Sequence, residues 1–376
     1  MARIIYAVAG EGYGHSSRAH LVGQRLIETG HEVMFVASQK ALQYLRRIYG
    51  SQVKEIFGLS FAYRRGRIDA AGTFTRNLTR LARANTHNKR LFKKVYRSFD
   101  PDLVITDFEP FTGWWAWRHK VPFISLDNEH LLTACRLEHR LRHVIPRLTA
   151  TAVTKGFGIG AATYVVTNFF NAPLKHGRAL LAPPIVRPIV TTLKPSNAGH
   201  VVVYWTTGTE ERRLRTVLHK FGDQTFYVYG FNKSVQMGNC VFKRPSTEGF
   251  LADLASSRGV IASAGSSLIS ECMHWRKRML LLPLPGQYEQ LVNARYFEKL
   301  GLGTTARRLD ERVLARFLAR VDEPVSQDDR ILWPDNEKFF ETLEAALSRL
   351  STPVSIAVND VAAERRAPTE LVGARS

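Results

Sequence analysis

Two apolar runs that end at a glycine-bearing turn and lead into a helix constrain this chain more than any other feature. Residues 4–9 are apolar and precede the segment GEGYGH at 10–15. Residues 259–262 precede Gly265, where a second helical pattern begins. A short apolar run followed by a helical period is typical of a βα unit in a parallel sheet. The chain is therefore predicted to be an α/β protein.

The turn at Gly265 suits an anion. The first backbone N–H groups of a helix lack intrahelical partners, and the helix dipole attracts negative charge to that end. Gly265 allows close approach of the backbone, while Ser266 and Ser267 can donate hydroxyl groups to a phosphate. Glu271 follows about two turns into the same helix. An ordinary serine-capped helix is the alternative if the turn is considered by itself.

The next apolar run leads to a second polar group. Residues 279–282 form a predicted strand, which Gln287, Glu289 and Gln290 follow. In open α/β sheets, ligands bind beyond the carboxyl ends of the strands. A carboxylate beside an amide can accept and donate hydrogen bonds to the neighbouring hydroxyls of a sugar. A solvated helix start would also tolerate these side chains.

These motifs resemble those of GT-B glycosyltransferases. The chain carries GEGYGH at 10–15, Ser270-Glu271, and PLPGQYEQLVNA at 283–294. It is similar to a bacterial and archaeal group of predicted transferases, to UDP-dependent transferases of small molecules, and to the enzyme that adds N-acetylglucosamine to the lipid-linked peptidoglycan precursor. The resemblance spans most of the chain and implies two Rossmann-like domains that face each other across a cleft. It does not specify the acceptor.

The resemblance implies that Glu271 binds the ribose hydroxyls, that Gly265 faces the diphosphate, and that the backbone of residues 245–250 holds the uracil ring. Ser263, Ala264 and Gly265 stand where plant-type enzymes have His-Gly-Gly, so the phosphate contact relies on backbone amides and hydroxyls. A glycine-bearing turn at 206–209 is a second predicted phosphate contact. The pattern and the resemblance together predict donor-sugar contacts at Glu289, Gln290 and Gln287, and nucleotide contacts at Glu271, Gly265, Ser266, Ser267, Thr207, Gly208 and Phe250.

The glycine loop near the start of the chain carries the candidate base. His15 stands where the third glycine of a dinucleotide fingerprint belongs, which disfavours NAD binding. A neutral imidazole can take a proton from an acceptor hydroxyl near physiological pH. A histidine that satisfies a helix end is the alternative, but in both resembled groups a histidine here faces the acceptor side of the cleft. We predict that His15 is catalytic and that Gly12 and Gly14 belong to the acceptor-side loop.

A histidine base works better when a carboxylate holds its other nitrogen. Asp107 follows the predicted strand 103–106 and is the first candidate, with Glu109 as the second. Another predicted strand ends shortly before Glu129 and His130. These side chains are predicted to line the same cleft, or to be loop residues that bind acceptor.

The length of 376 residues suits two domains. The first, an acceptor-binding domain, is predicted over residues 1–185. A proline-rich linker over 186–199 leads to a nucleotide-sugar domain over 200–332. A terminal helix over 333–350 is expected to return to the first domain. The tail over 351–376 shows no periodicity and is predicted to be disordered.

The net charge of +20 is concentrated in the first half of the chain. No nucleic-acid motif accompanies it, so nucleic acid is not an expected partner. Phe74, Leu78, Leu81, Leu91, Phe92 and Val95 interleave with basic residues, which suits an interfacial helix pair on an anionic membrane; a solvated helix face is the alternative. The basic clusters are Arg64, Arg65, Arg67, Arg76, Arg80, Arg83, Lys89, Arg90, Lys93, Lys94 and Arg97, and then Arg136, Arg140, Arg142 and Arg147.

Sequence features predict a cytoplasmic location, peripheral to the inner face of the plasma membrane. No run approaches the ~20 apolar residues that a transmembrane helix needs, and no signal peptide is evident. Cys135, Cys240 and Cys272 have neither metal nor disulfide spacing, which fits a reducing compartment.

The predicted reaction is an inverting, metal-independent transfer from a UDP-sugar to a hydroxyl acceptor, with a membrane lipid as the first candidate acceptor and no cofactor. Metal-using transferases hold their ion with Asp-x-Asp. Here Asp100-Pro101-Asp102 precedes its strand, so a turn is predicted rather than a metal ligand set. The alternatives are a UDP-sugar epimerase of the same fold and a non-catalytic binder of anionic lipid or nucleic acid.

Overall fold

The computed structural model describes residues 1–10, 12–59, 86–205, 210–244 and 246–351, together with two short strands at 63–64 and 67–68. Within these residues the chain forms two α/β units, each built on a seven-stranded sheet. The α/β class predicted from the sequence is confirmed. Among the described helices, none is both long and apolar enough to span a bilayer.

The first unit is a parallel sheet covered by helices. Its elements are β1 (Arg3–Val8), α1 (Tyr13–Glu28), β2 (Glu32–Ala37), α2 (Gln39–Tyr49), β3 (Val53–Glu55), β4 (Tyr63–Arg64), β5 (Arg67–Ile68), a π-helical turn (Leu91–Tyr96) that runs into α3 (Arg97–Phe99), β6 (Leu103–Asp107), α4 (Pro110–Arg118), β7 (Phe123–Asp127), α5 (Leu131–Ala134), α6 (Val144–Phe157), β8 (Thr163–Thr167) and β9 (Ala179–Ala182). The sheet order is β3-β2-β1-β6-β7-β8-β9, while β4 and β5 pair only with each other. The strand order reverses between β1 and β6, where open sheets of this kind bind ligands.

The rest of the chain contains the second unit, which repeats this plan, with the short helix α7 (Pro188–Thr192) before it and the terminal helix α13 (Asn336–Ser351) after it. Its elements are β10 (Val201–Tyr204), α8 (Glu211–Leu218), β11 (Phe226–Tyr229), β12 (Val235–Met237), β13 (Cys240–Phe242), α9 (Thr247–Ala255), β14 (Gly259–Ala262), α10 (Ser266–His274), β15 (Met279–Leu281), α11 (Tyr288–Lys299), β16 (Gly303–Thr305) and α12 (Glu311–Arg320). The sheet order is β12-β13-β11-β10-β14-β15-β16, with only β12 antiparallel to its neighbour. The order reverses between β10 and β14, so the turn at Gly265 lies at this reversal.

The central strands are buried on both faces, which explains their near-continuous apolar sequences. In β1, Ile4, Tyr6 and Val8 pack into one core cluster, while Ile5 and Ala7 pack into another on the opposite face. This alternation follows from the period of two along a strand. The two clusters hold the carboxyl end of β1 in place beneath the glycine loop.

The terminal helix α13 packs against the first sheet. Phe339, Leu343 and Ala346 are buried in the same cluster as Ile4. The side chain of Asn336 also donates to the carbonyl and accepts from the amide of Val186. The helix is thereby joined to the segment that connects the two units. That segment, predicted as a linker, contains the short helix α7.

The predicted interfacial helix pair is wrong where the structure describes it. Leu91 is buried in the core of the first domain, and Phe92 and Val95 pack against the same cluster. Lys93 and Lys94 are exposed. The apolar side of this segment therefore covers the sheet, and its charges are a solvated face. Phe74, Leu78 and Leu81 lie outside the described residues, as do all the basic residues between 69 and 85.

Candidate active site

His15 lies beside Asp107 at the reversal of the first sheet. Gly12, with a φ of 84°, precedes α1 and turns the chain from β1 into the helix, while Asp107 is the last residue of β6. The Nδ1 atom of His15 is 2.6 Å from Oδ1 of Asp107. An ionised carboxylate can only accept, so Nδ1 donates and Nε2 remains for another group.

Arg18 completes this cluster and was not predicted. Its Nε donates to Oδ2 of Asp107 at 2.7 Å, and its Nη2 donates to Oδ1 at 2.6 Å. Arg18 is three residues after His15 on α1, so both side chains lie on the same side of the helix. The buried Asp107 therefore has a cationic partner and hydrogen-bond donors at both of its oxygens.

The electrostatics of the cluster favour a protonated His15. Burial lowers the pKa of His15, but the charges of Asp107 and Glu129 and the hydrogen bond to Asp107 outweigh burial and raise the pKa to about 9. Arg18 opposes this rise. His15 is therefore mainly an imidazolium at neutral pH, and it can act as a base only after losing that proton.

Glu129 faces His15 from the loop after β7, the strand next to the one that ends in Asp107. Its Oε1 lies 3.5 Å from Nε2 of His15. Burial raises the pKa of Glu129, an effect that the charge of His15 opposes. Glu129 therefore lies on the side of the cleft where the sequence predicted an acceptor-side residue.

His130 and Glu109 require corrections. His130 is 1% exposed, and its Nδ1 is 2.7 Å from Oδ2 of Asp127, so it supports β7 from within the core instead of lining the cleft. Glu109 accepts from the backbone amides of Phe111 and Thr112 and is also buried. It caps α4 and leaves the contact with His15 to Asp107.

On the second domain, α10 begins at the predicted anion turn. Gly265 is the N-cap, and Ser270 donates to the carbonyl of Ser266. A side chain at Gly14 would place its Cβ 2.4 Å from Oγ of Ser267. The glycine loop of the first domain therefore lies directly against the start of α10, and Gly14 allows this approach because it lacks a side chain.

Glu271 is buried and paired with Arg187. The Nε of Arg187 donates to Oε1 of Glu271 at 2.7 Å, and Nη2 lies equally close to the same atom. Burial raises the pKa of Glu271, while Arg187 acts in the opposite direction. The carboxylate predicted to bind ribose thus already has a cationic partner, contributed by the segment between the domains.

Of the polar residues after β15, Gln287 and Gln290 form hydrogen bonds within the second domain, while Glu289 faces the cleft. The Oε1 atom of Gln290 accepts from the amides of Ala264 and Leu284, and its Nε2 donates to Gln287. Asn293 donates to the carbonyl of Ala264. Gln290 therefore holds the turn before α10 against the loop after β15, and its contact with the donor sugar stays a prediction. Gln287 is its partner in this clamp.

Glu289 remains as a cleft residue. It is partly exposed in the first turn of α11 and accepts from Asn293. Burial and the charge of Glu129 raise its pKa to about 8, against the opposing effects of Asn293, His15 and Arg18. Because Glu129 and His15 belong to the first domain, Glu289 faces the His15 cluster across the cleft and is mainly protonated at neutral pH.

The remaining predicted contacts concern the uracil ring, the second phosphate turn and the Asp-x-Asp segment. Phe250 packs against Tyr204 and Tyr229, near the carboxyl ends of β10 and β11. Thr207 and Gly208 lie outside the described residues, as does residue 245. Asp100 and Asp102 both contact Arg3, at the amino end of β1 and away from the cleft.

A narrow cavity joins the two halves of the site. It runs from the first turns of α1 to the start of α10. Asn128 and Asn168 border it, and each has a buried side-chain oxygen without a hydrogen-bond partner in the described structure. The lining residues are Gly14, Ser17, Arg18, Leu21, Asn128, Thr167, Asn168, Phe169, Pro184, Ile185, Arg187, Ser266, Ser267, Ser270 and Glu271.

Comparison with known proteins agrees with this architecture. A glycosyltransferase of Methanosarcina acetivorans, itself uncharacterized, is 25% identical over 325 residues, covering 80% of this chain and 84% of that protein. The structure of LpCGTa in complex with UDP is 14% identical, with a TM-score of 0.60, covering 94% of this chain and all of that one. MurG of Acinetobacter baumannii is 11% identical, with a TM-score of 0.56, covering 93% and 95% of the two chains.

Two Rossmann-like domains facing across a cleft define the GT-B fold, and the structural similarities confirm that prediction. Glycosyl transferase family 1 matches residues 2–322. The chain belongs to this family and is a glycosyltransferase enzyme. This result favours the predicted transferase over the epimerase and the non-catalytic binder.

Proposed function

We propose that this glycosyltransferase moves a sugar from a UDP-sugar to a hydroxyl group of an acceptor, with inversion at the anomeric carbon and without a divalent metal ion. The observation that carries the proposal is the position of His15. Its Nδ1 is held by Asp107 at 2.6 Å, while its Nε2 faces Glu129 within the cleft. The start of α10 lies against the same loop, because Gly14 meets Ser267.

The proposed step moves one proton and exchanges one bond. His15, once neutral, takes the proton of the acceptor hydroxyl at Nε2. The acceptor oxygen forms a bond with the anomeric carbon as the bond from that carbon to the diphosphate oxygen breaks, and UDP leaves with the bonding electrons. Asp107 stabilises the imidazolium that forms. The amides at the start of α10 stabilise the charge on the leaving diphosphate, which is the role that a metal ion would otherwise have.

The nucleotide is assigned from Glu271 and from a structural relative. A buried carboxylate can accept hydrogen bonds from both hydroxyls of a ribose. LpCGTa, which has the same fold, was solved with UDP bound. Uridine is therefore the proposed base, and Glu289 is the proposed contact for the donor sugar because it faces His15 from the second domain.

A membrane lipid is the proposed acceptor. Leu141, in the turn before α6, and Ile145, in its first turn, are 91% and 77% exposed, and Leu148 is also exposed. Arg140 and Arg142 are exposed beside them. Apolar side chains next to basic ones suit the boundary between anionic headgroups and acyl chains.

The lipid proposal is tested by sedimentation with vesicles. The protein should bind vesicles that contain anionic phospholipid more strongly than neutral vesicles. The double variant Ile145→Ser and Leu148→Ser should bind less to both, while its turnover of a water-soluble acceptor analogue is unchanged. Equal binding of the variant and the wild type would remove α6 from this role.

The catalytic proposal is tested by His15→Ala. After a thermal-stabilisation screen identifies the donor, transfer to the components of a total lipid extract is measured. Turnover should fall about 10²–10⁴-fold, the range typical of general base catalysis, while UDP affinity is retained. His31→Ala, after the opposite end of α1, is the matched control. Unchanged turnover would exclude His15, and an isomerised sugar formed from donor alone would favour an epimerase.

A further inference from the structure

Glu129 lies in a loop whose backbone is fixed by hydrogen bonds of the residues on both sides. The residue before it, Asn128, donates to the carbonyl of Thr167, and the amide of the residue after it, His130, donates to Asp127. These contacts are buried and tie the chain to β7 and β8. The backbone of Glu129 is therefore held from both sides.

The carboxylate of Glu129 is poorly satisfied in this position. Its Oε1 lies 3.5 Å from Nε2 of His15, longer than a normal hydrogen bond. Its Oε2 is buried without a hydrogen-bond partner in the described structure. An ionised carboxylate accepts hydrogen bonds and cannot donate them, so Glu129 needs donors that the described part of the protein does not supply.

An acceptor with one hydroxyl could donate a hydrogen bond to His15 but would leave none for Glu129. Its single proton goes to Nε2 of His15, because that proton is transferred in the reaction. Glu129 is close enough that a second hydroxyl, on the carbon next to the reacting one, would reach it. A lone hydroxyl would leave Oε2 of Glu129 buried without a donor, at a cost in binding.

We infer that the acceptor is a vicinal diol, in which one hydroxyl donates to His15 and reacts while its neighbour donates to Glu129. This rests on the proposed function and names the substrate class at the same site. Glyceryl and glycosyl groups both have this chemistry, whether free in water or at the head of a lipid. Glu129 is accordingly a specificity residue for the acceptor.

The first test uses periodate, which cleaves vicinal diols. A total lipid extract and an aqueous extract are each divided, and one half is oxidised, quenched and reduced. Both halves are offered to the wild-type enzyme with its labelled donor. Oxidation should abolish acceptor activity, and the active extract identifies a lipid or a soluble source. Transfer that survives oxidation would overturn the diol proposal alone, whereas a lack of transfer with every nucleotide sugar would overturn the proposed function.

The second test uses Glu129→Gln, with Glu32→Gln as control, because Glu32 is exposed at the amino end of β2. The acceptor KM of Glu129→Gln should rise about 10- to 100-fold, as expected for a hydrogen bond to a charged group, with little change in the donor KM. A fall in kcat at saturating acceptor with unchanged KM would contradict a specificity role.

A pH profile separates this role from a purely structural one. The groups facing His15 are Asp107, Glu129 and Arg18 from the first domain and Glu289 from the second. Because His15 must be neutral, kcat/KM should rise with pH through about 9 in the wild type. Removing the Glu129 charge lowers the pKa of His15, so the rise should move to lower pH in Glu129→Gln. An unmoved profile would overturn the assignment.

Discussion

Two buried carboxylates, each paired with an arginine, lie on opposite sides of the cleft. Asp107 and Arg18 belong to the same domain, with side chains 0% and 7% exposed. Glu271 belongs to the second domain, but Arg187 comes from the segment between the domains, and these side chains are 8% and 23% exposed. The first pair is buried within one domain, whereas the second pair joins the second domain to the segment between the domains.

This difference teaches what each pair can do during a reaction cycle. Arg18 uses two hydrogen bonds to hold both oxygens of Asp107, so the orientation of His15 does not depend on substrate. Arg187 contacts only Oε1 of Glu271, so a ribose hydroxyl can approach at Oε2. We therefore expect the His15 side of the cleft to be preorganised, and we expect Glu271 to exchange contacts when the proposed nucleotide binds there.

Asp107→Asn should have the largest effect on this comparison. It leaves the buried Arg18 without a counter-charge, so the free energy of unfolding should fall by about 3–5 kcal/mol. Turnover should also fall, because His15 loses the group that orients it. Urea denaturation and initial rates measure the two effects. Asp100→Asn, at an exposed turn, should stay within about 0.5 kcal/mol of wild type. An equally small change for Asp107→Asn would mean that the pair of Asp107 and Arg18 is not important for stability.

Glu271→Gln should produce a smaller and different effect. Arg187 can reach water, so the free energy of unfolding should fall by about 1–3 kcal/mol, less than for Asp107→Asn. The donor KM should rise about tenfold, as expected for the loss of a charged hydrogen-bond acceptor, while acceptor KM changes little. Glu248→Gln, on the exposed face of α9, is the control. An increase in acceptor KM with unchanged donor KM would reverse the assignment of the two sides.

Gly14→Ala tests the contact between the two sides and should have the smallest effect. The new Cβ would approach Oγ of Ser267 too closely, so kcat/KM should fall several-fold. Shortening that side chain with Ser267→Ala should relieve part of the loss in the double variant. A double-mutant cycle should give a coupling of about 0.5–3 kcal/mol. Strict additivity of the two losses would indicate that the domains do not meet here during catalysis.

The sequence predicted the strands and turns of the site better than the contacts between its side chains. The strand predicted at 259–262 is β14 (Gly259–Ala262), because a continuous apolar run between polar turns has few alternatives. His15 and Asp107 were paired because each follows a strand of the first sheet. Arg18 could have been found from its spacing on α1, three residues after His15. Arg187 had no such signal, since its partner lies 84 residues away.

Gln290 shows where sequence reasoning reaches its limit. From sequence alone, an amide next to a carboxylate after a strand could equally bind a sugar or form hydrogen bonds that hold a loop. Only the packing of Ala264 and Leu284 around Gln290 shows that its oxygen is already used by two backbone amides. His130 is similar, because its burial against β7 depends on which face of the sheet its short helix covers.

The sequence by itself determined the α/β class, the position of the two glycine-bearing turns, and the order of the chemically active groups along the chain. Those properties follow from local periodicity and from the backbone freedom of glycine. The tertiary structure decided which buried charges are paired, which polar side chains support loops, and how Glu129 of the same domain and Glu289 of the other domain approach His15. These contacts join residues far apart in the chain, and their energies depend on burial, which only the packed structure determines.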